Sequence, residues 1–230
     1  MGKIVKIAAL VALVFVSWNF LNEKNFDEGV IAYRDGDYET AYDIFIKEAN
    51  NGNTEAQFNV AHMYKNAIYV EQDFEQAVSW YIKAAEAGHP IAQNDLGIMC
   101  KNGEGMAIDF DEAMSWFLKS SEQNYYAAQY NIGRMYYLGE GVDQNYEKAL
   151  NWYLLAAAQG MVTAQRSLGV MYRLGQGTLP NNVYSYMWLY IAQSSGDNAS
   201  KGLIEEYNKQ MTSTDIQDAI NLANDWLTKT

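Results

Sequence analysis

The chain has 230 residues, 49% apolar and 19% charged, a balance that predicts a folded protein rather than a disordered one. Its net charge of −12 argues against a nucleic-acid binder held by phosphate contacts. One cysteine, Cys100, excludes an internal disulfide framework and a thiolate zinc cluster; two histidines, His62 and His89, leave little for imidazole-based metal or acid–base chemistry.

Residues 1–24 read differently from the rest. Lys3 and Lys6 precede the apolar run 7–16, the layout of a secretory signal peptide. Trp18, Asn19 and Phe20 occupy the region where a small-x-small cleavage site would lie, so a cleaved signal peptide and a retained signal anchor both stay open. In the second case residues 4–21 would attach the protein to a membrane. The competing reading is a buried N-terminal helix. Residues 25–53 carry Gly29, Gly36, Asp37, Tyr38, Ala41 and Phe45 in tetratricopeptide-like phase, a short hairpin expected to seal the N-terminal end.

From residue 54 the chain repeats itself every 36 residues. Trp80, Trp116, Trp152 and Trp188 keep this spacing. So do Ala56, Ala92, Ala128 and Ala164, each followed by Gln, and Met63, Met99, Met135 and Met171. Several columns in one register define four repeats, 54–89, 90–125, 126–161 and 162–197. Each is predicted to be two helices. In the first helix of the third repeat, Ala128, Ile132, Gly133 and Tyr136 form one apolar stripe. Gly139-Glu140-Gly141 then stops that helix, since glycine readily takes the left-handed conformation at a helix end. Asp73, Asp109, Asn145 and Asn181 are expected to cap the second helices, with Gln76 and Glu112 completing capping-box patterns. Ala149, Trp152, Tyr153 and Ala156 make the second stripe, and the indoles are expected to wedge between neighbouring hairpins. Residues 198–210 and 214–229 predict two more helices. Thr214 and Gln217 offer a capping box, and Ile216, Ile220, Ala223 and Leu227 an apolar face. Both ends are expected to cover the open core faces of a repeat array.

The third repeat, AQYNIGRMYYLGEGVDQNYEKALNWYLLAAAQG, resembles the Sel1-like repeat, a relative of the tetratricopeptide repeat. The resemblance implies an all-α fold, a right-handed α/α superhelical solenoid of helix-turn-helix repeats with capping helices. The first repeat departs from the pattern, with Ala61, Ala67 and Tyr69 where glycines are expected, so its inter-helix loop should differ. The second has Cys100 for Tyr, Ser120-Ser121 for an alanine pair and Asn124 for Gly. The fourth has Thr178-Leu179-Pro180-Asn181 in its loop and Ser185 for Ala.

No metalloprotease, nucleophile-elbow, P-loop or CxxC motif is present, and no enzymatic activity, metal or cofactor is expected. The GxG loops follow helices and lack the lysine of a phosphate cradle, so they read as structural. His62 sits in a variable column, which suggests a surface residue, His89 at a repeat junction, and Cys100 in a core column. A cysteine-rich subset of the family is linked to β-lactam hydrolysis, but its cysteine pairs are missing here.

In helical-pair arrays the first helices line the concave side. By tetratricopeptide phase the inward positions include Asn94, Lys101, Tyr130, Asn131, Arg134, Tyr137, Arg166 and Arg173. First helices carry Lys65, Lys101, Arg134, Arg166 and Arg173 against Glu55 and Asp95, while second helices are strongly acidic. Helix dipoles alone favour cations in last turns, by about 0.3–1 kcal/mol each, but not Arg134 or Arg166. The residues therefore predict a basic, tyrosine-bearing groove for a protein partner, one presenting an acidic peptide or its own C-terminus. No nucleic-acid partner is expected. The alternatives are carbohydrate binding on the tyrosines and, less favoured, an envelope hydrolase. With the N-terminal segment, the resemblance implies an exported adaptor of the bacterial periplasm or cell envelope, free or anchored in the inner membrane.

Overall fold

The computed structural model describes residues 25–229. It divides into two compact units, one running to Asp109 and the other from Phe110. Helices account for the regular structure, and no strand occurs among the described residues. No helix there is long and apolar enough to cross a membrane. The signal-peptide, signal-anchor and membrane-attachment readings of residues 1–24 lie outside the described residues.

The first unit contains helical residues 25–35 (α1), then α2 (Tyr38–Asn50), α3 (Thr54–Lys65), α4 (Phe74–Glu86) and α5 (Pro90–Asn102). Gly29 lets α1 close onto α2, because a Cβ there would lie 2.8 Å from the Phe45 ring. Ala41, Phe45, Ala56, Val60, Met63, Ala77, Tyr81 and Ala84 fill the core. The second unit contains α6 (Phe110–Glu122), α7 (Tyr126–Leu138), α8 (Tyr146–Ala158), α9 (Val162–Leu174), α10 (Asn182–Ser194), α11 (Ser200–Gln210) and α12 (Ser213–Leu227). Its core runs through Ala149, Tyr153, Ala164, Leu168, Met171, Trp188, Leu189 and Ile191 to Ile204, Tyr207, Ala219 and Ala223.

Each inter-helix loop is closed by the same backbone bond. The N–H of Asp73, Asp109, Asn145 and Asn181 donates to the carbonyl nine residues earlier, on Tyr64, Cys100, Tyr136 and Tyr172. The side chains of Asp73, Asn145 and Asn181 cap their helices by accepting from Gln76, Lys148 and Tyr184 N–H. This corrects the capping-box expectation: a Gln76 or Glu112 side chain finds the cap N–H already used within the loop. In α12 the cap is Thr212 rather than Thr214, its hydroxyl accepting from Asp215 N–H at 3.1 Å. Ala219 and Ala223 carry the buried face of that helix, while Leu227 at its end is exposed.

The glycine pairs divide their labour. Gly103, Gly139 and Gly175 end their helices with positive φ. Gly105, Gly141 and Gly177 also have positive φ but in addition press against the preceding repeat, where an added Cβ would meet Phe74, Phe110 or Tyr146 at 2.2–2.4 Å. The sequence predicts a different loop in the first repeat, and in backbone terms the loop is the same. Ala67 and Tyr69 take φ of 55° and 67° at the corresponding places. The element before this repeat is the short N-terminal hairpin, which leaves room for the Tyr69 ring against Tyr42, 5.7 Å between centroids.

The glutamine column joins one repeat to the next. Gln57, Gln93 and Gln165 each donate a buried side-chain N–H to a carbonyl eight residues earlier, on Ala49, Ala85 and Ala157. Gln129 turns instead to Asn124 at 3.1 Å, where Asn124 replaces the junction glycine with φ of 65°. The indoles are less uniform than expected. Trp80 and Trp188 are buried, whereas Trp116 and Trp152 are half-buried. Lys83 and Lys119 lie over the rings of Trp80 and Trp116, at 3.5 and 3.8 Å from the centroids.

Glu48 breaks the composition of its column, which elsewhere holds Ala84, Ser120, Ala156 and Ala192. It is 1% exposed, and both carboxylate oxygens lack a hydrogen-bond partner. An unsatisfied buried polar group costs about 1–3 kcal/mol. Glu48→Met, which removes both oxygens and keeps most of the volume, is expected to stabilise the protein by about 2 kcal/mol. A denaturant midpoint at or below that of the wild type would contradict this.

Candidate functional site

Helical spacing assembles the site in the second unit. Tyr130, Arg134 and Tyr137 stand at i, i+4 and i+7 on α7, and Arg166 and Val170 at i and i+4 on α9, so each set shares a face. Gly133 brings α8 close to α7, since a Cβ there would lie 2.7 Å from the Tyr153 ring. The result is a cleft of about 300 Å³ lined by Tyr130, Arg134, Tyr137, Leu138, Tyr153, Arg166, Ser167 and Val170.

Aromatic rings form its floor and wall. Tyr130 stacks on Tyr153 with centroids 5.2 Å apart, and Tyr137 stands 6.4 Å from the same ring. The Tyr137 hydroxyl donates to Gln176 Oε1 at 3.1 Å, which fixes that ring. Burial, followed by the neighbouring Tyr130 and Tyr137, pushes the Tyr153 phenol well above its ordinary pKa, while Arg134 acts in the opposite sense. Tyr153 therefore enters the cleft neutral.

The two arginines differ in what they touch. Arg166 is bound to Asp197 at 2.6 Å, and the Asp197 carboxylate is 10% exposed. Burial alone would raise the Asp197 carboxyl, but the hydrogen bonds from Ser200 and the Arg166 guanidinium hold it below the usual carboxylate range. Arg134 is exposed and makes no ion pair among the described residues.

Of the eight residues expected to line a concave face, Tyr130, Arg134, Tyr137 and Arg166 meet in this cleft. Arg173, about two helical turns further along α9, is held instead by both oxygens of Glu206 on α11, at 3.0 and 3.1 Å. Asn131 is half-buried on α7 and lies outside the lining. Asn94 and Lys101 belong to the first unit. Asn94 is 4% exposed and its amide donates to Asp95, so it offers no open surface there. Sequence reasoning misses Tyr153 and Leu138 as lining groups, whereas Ser167 and Val170 stand in the inward columns of the tetratricopeptide phase and do line the cleft. The apolar stripe places Tyr153 in the core, which its burial bears out, yet the ring also forms part of the cleft wall.

The variable column suggests a surface position for His62, which is in fact half-buried; burial lowers its pKa, with Asp95 and Lys65 as smaller influences of opposite sign to each other. His89 is a helix cap. Its Nδ1 accepts from Ala92 N–H at 3.1 Å, which leaves the proton on Nε2 to meet Glu55 at 3.1 Å, and its ring stacks on Phe58. Asn53, 36 residues earlier, plays the same capping part. Cys100 is buried. No group of three or more His, Cys, Asp or Glu able to hold a metal occurs among the described residues.

The Sel1 repeat family model matches residues 54–89, 90–125, 127–161 and 162–197. No curated protein matches the sequence. Among solved structures, a Sel1 repeat protein from Oxalobacter formigenes is 28% identical with a TM-score of 0.77, over 89% of this chain and 84% of that one. The protective antigen c5321 of uropathogenic Escherichia coli is 32% identical with a TM-score of 0.78; the match covers 89% of this chain but 46% of that one. A Klebsiella pneumoniae sel1 repeat protein, 21% identical with a TM-score of 0.55 over 81% of this chain and 93% of that one, shares the fold.

Proposed function

The chain belongs to the Sel1 repeat family, whose members generally mediate protein–protein contacts and are generally non-enzymatic, and from that premise we propose that it is an adaptor whose cleft between α7 and α9 takes a carboxylate-bearing segment of a partner protein. The observation that carries this reading is Arg134: an exposed guanidinium without an ion-pair partner among the described residues, set between two tyrosines on a wall that carries no acid. Arginine and tyrosine concentrate binding energy because they combine charge-assisted hydrogen bonds with large rigid surfaces. The adaptor acts after export, in the periplasm or cell envelope, a placement that rests on the basic start and apolar run of residues 3–16.

Arg134→Glu is expected to weaken partner binding by about 2 kcal/mol, roughly 30-fold, while leaving the thermal midpoint within about two degrees. Arg166→Glu is the poorer test, because it would set two acids against each other at Asp197. The measurement is crosslinking capture from envelope fractions with wild-type and Arg134→Glu protein, followed by titration of the captured partner. Unchanged affinity in a folded Arg134→Glu protein would rule out this cleft. Binding of cell-wall saccharides instead would favour the carbohydrate reading of the tyrosines.

A further inference from the structure

The groove read from sequence has several cations; the cleft in the structure has one to offer. Arg166 is already neutralised by Asp197, and Arg173, beyond the lining, is occupied by Glu206. Both acids come from the segment that follows α10, within the same unit as the cleft. What remains for a ligand is the Arg134 guanidinium, with the tyrosine rings and the Leu138 and Val170 side chains around it.

We propose that the cleft is selective for a single carboxylate next to an apolar side chain, the chemistry of a protein C-terminus ending in an aromatic or aliphatic residue, and discriminates against polyacidic segments. This rests on the docking reading above and narrows its ligand. A polyacidic segment would bring several charges to one cation, and each charge left over would lose hydration without gaining a partner. Arg166, the other cation of the lining, would offer it little, because Asp197 already cancels that charge. A terminal carboxylate needs one guanidinium, which it can meet through two parallel hydrogen bonds. Its side chain then finds rings rather than charges. The volume, about 300 Å³, is at the small end of ligand sites and suits the end of a polypeptide rather than a helix.

Asp197 thereby sets specificity through Arg166. It is a positioning residue: it holds the guanidinium and takes its charge out of the ligand's reach.

The test uses the full-length protein and three labelled peptides followed by fluorescence anisotropy. One ends in phenylalanine with a free carboxylate, the second is the same peptide as the C-terminal amide, and the third is rich in glutamate with an amidated end. The free-carboxylate peptide is expected to bind at least about 10-fold tighter than its amide, the difference vanishing in Arg134→Gln. Asp197→Asn, which frees Arg166, is expected to raise affinity for the glutamate-rich peptide several-fold while changing that of the terminal-carboxylate peptide less. Because Asp197 also bonds Ser200, Asp197→Asn is paired with Ser200→Ala, which perturbs the same turn but leaves Arg166 neutralised and should show no such gain. If the glutamate-rich peptide binds the wild type more tightly than the terminal-carboxylate peptide, and does so through Arg134, the single-charge inference fails while the docking reading stands. If none of the three responds to Arg134→Gln, both fail.

Discussion

Gly177→Ala is expected to destabilise the second unit by about 3 kcal/mol or more, one of the largest losses available to a single methyl group in this protein. The residue has φ of +75°, a conformation that costs an L-residue roughly 1–2 kcal/mol. Its added Cβ would lie 2.4 Å from the Tyr146 carbonyl oxygen, 2.6 Å from the carbonyl carbon and 2.8 Å from Glu147 N. All three are backbone atoms at the start of α8, so no side-chain rotation relieves the overlap, and overpacking adds about 1–3 kcal/mol. Gly160→Ala separates the two contributions. Its φ is +83°, yet nothing lies within 4 Å of the position, so it should show the conformational cost alone. Urea unfolding of the two variants checks this, and equal losses would mean that the loop moves aside.

Trp188→Ala is expected to cost about 4 kcal/mol. The indole is 2% exposed and meets Trp226 edge-to-face at 4.9 Å, so truncation leaves a void between α10 and α12 and deprives Trp226 of its neighbour. Trp116→Ala, in the same sequence column, should cost well under half as much. That ring is half-buried, with Glu112 accepting its N–H at 3.2 Å and Lys119 over its face. Denaturant midpoints for the pair decide whether burial or column identity sets the loss, and similar values would favour the latter.

The contrast shows what a repeat makes legible. Columns shared by four repeats determine helix positions, the left-handed turns and the buried alanines, because each repeat meets the same neighbours. Features outside that periodicity are not readable. Asp197 and Glu206 lie at or beyond the end of the last repeat and reach Arg166 and Arg173 over 31 and 33 residues, pairings that the repeat columns do not encode. The segregation of cations onto first helices, read as dipole complementation or a partner's groove, has a third cause at these two residues: carboxylates of the protein itself. Arg134 is legible as a mid-helix cation without a dipole rationale, and that signal survives. Tetratricopeptide phase places Asn94 inward, but its amide is buried and turned to Asp95. His89 becomes legible only by comparison with Asn53, which does the same capping with a different side chain.

The fasteners at both kinds of junction span fixed numbers of residues, nine across each of the four inter-helix loops and eight across the bonds of Gln57, Gln93 and Gln165. One inserted residue in either span would turn the following helix by about 100° and carry donor away from acceptor. Growth one codon at a time is thus penalised at both joints, whereas copying a whole 36-residue block restores every bond. An array built on such joints is expected to accept the gain or loss of a full block more readily than a single-residue insertion within either span.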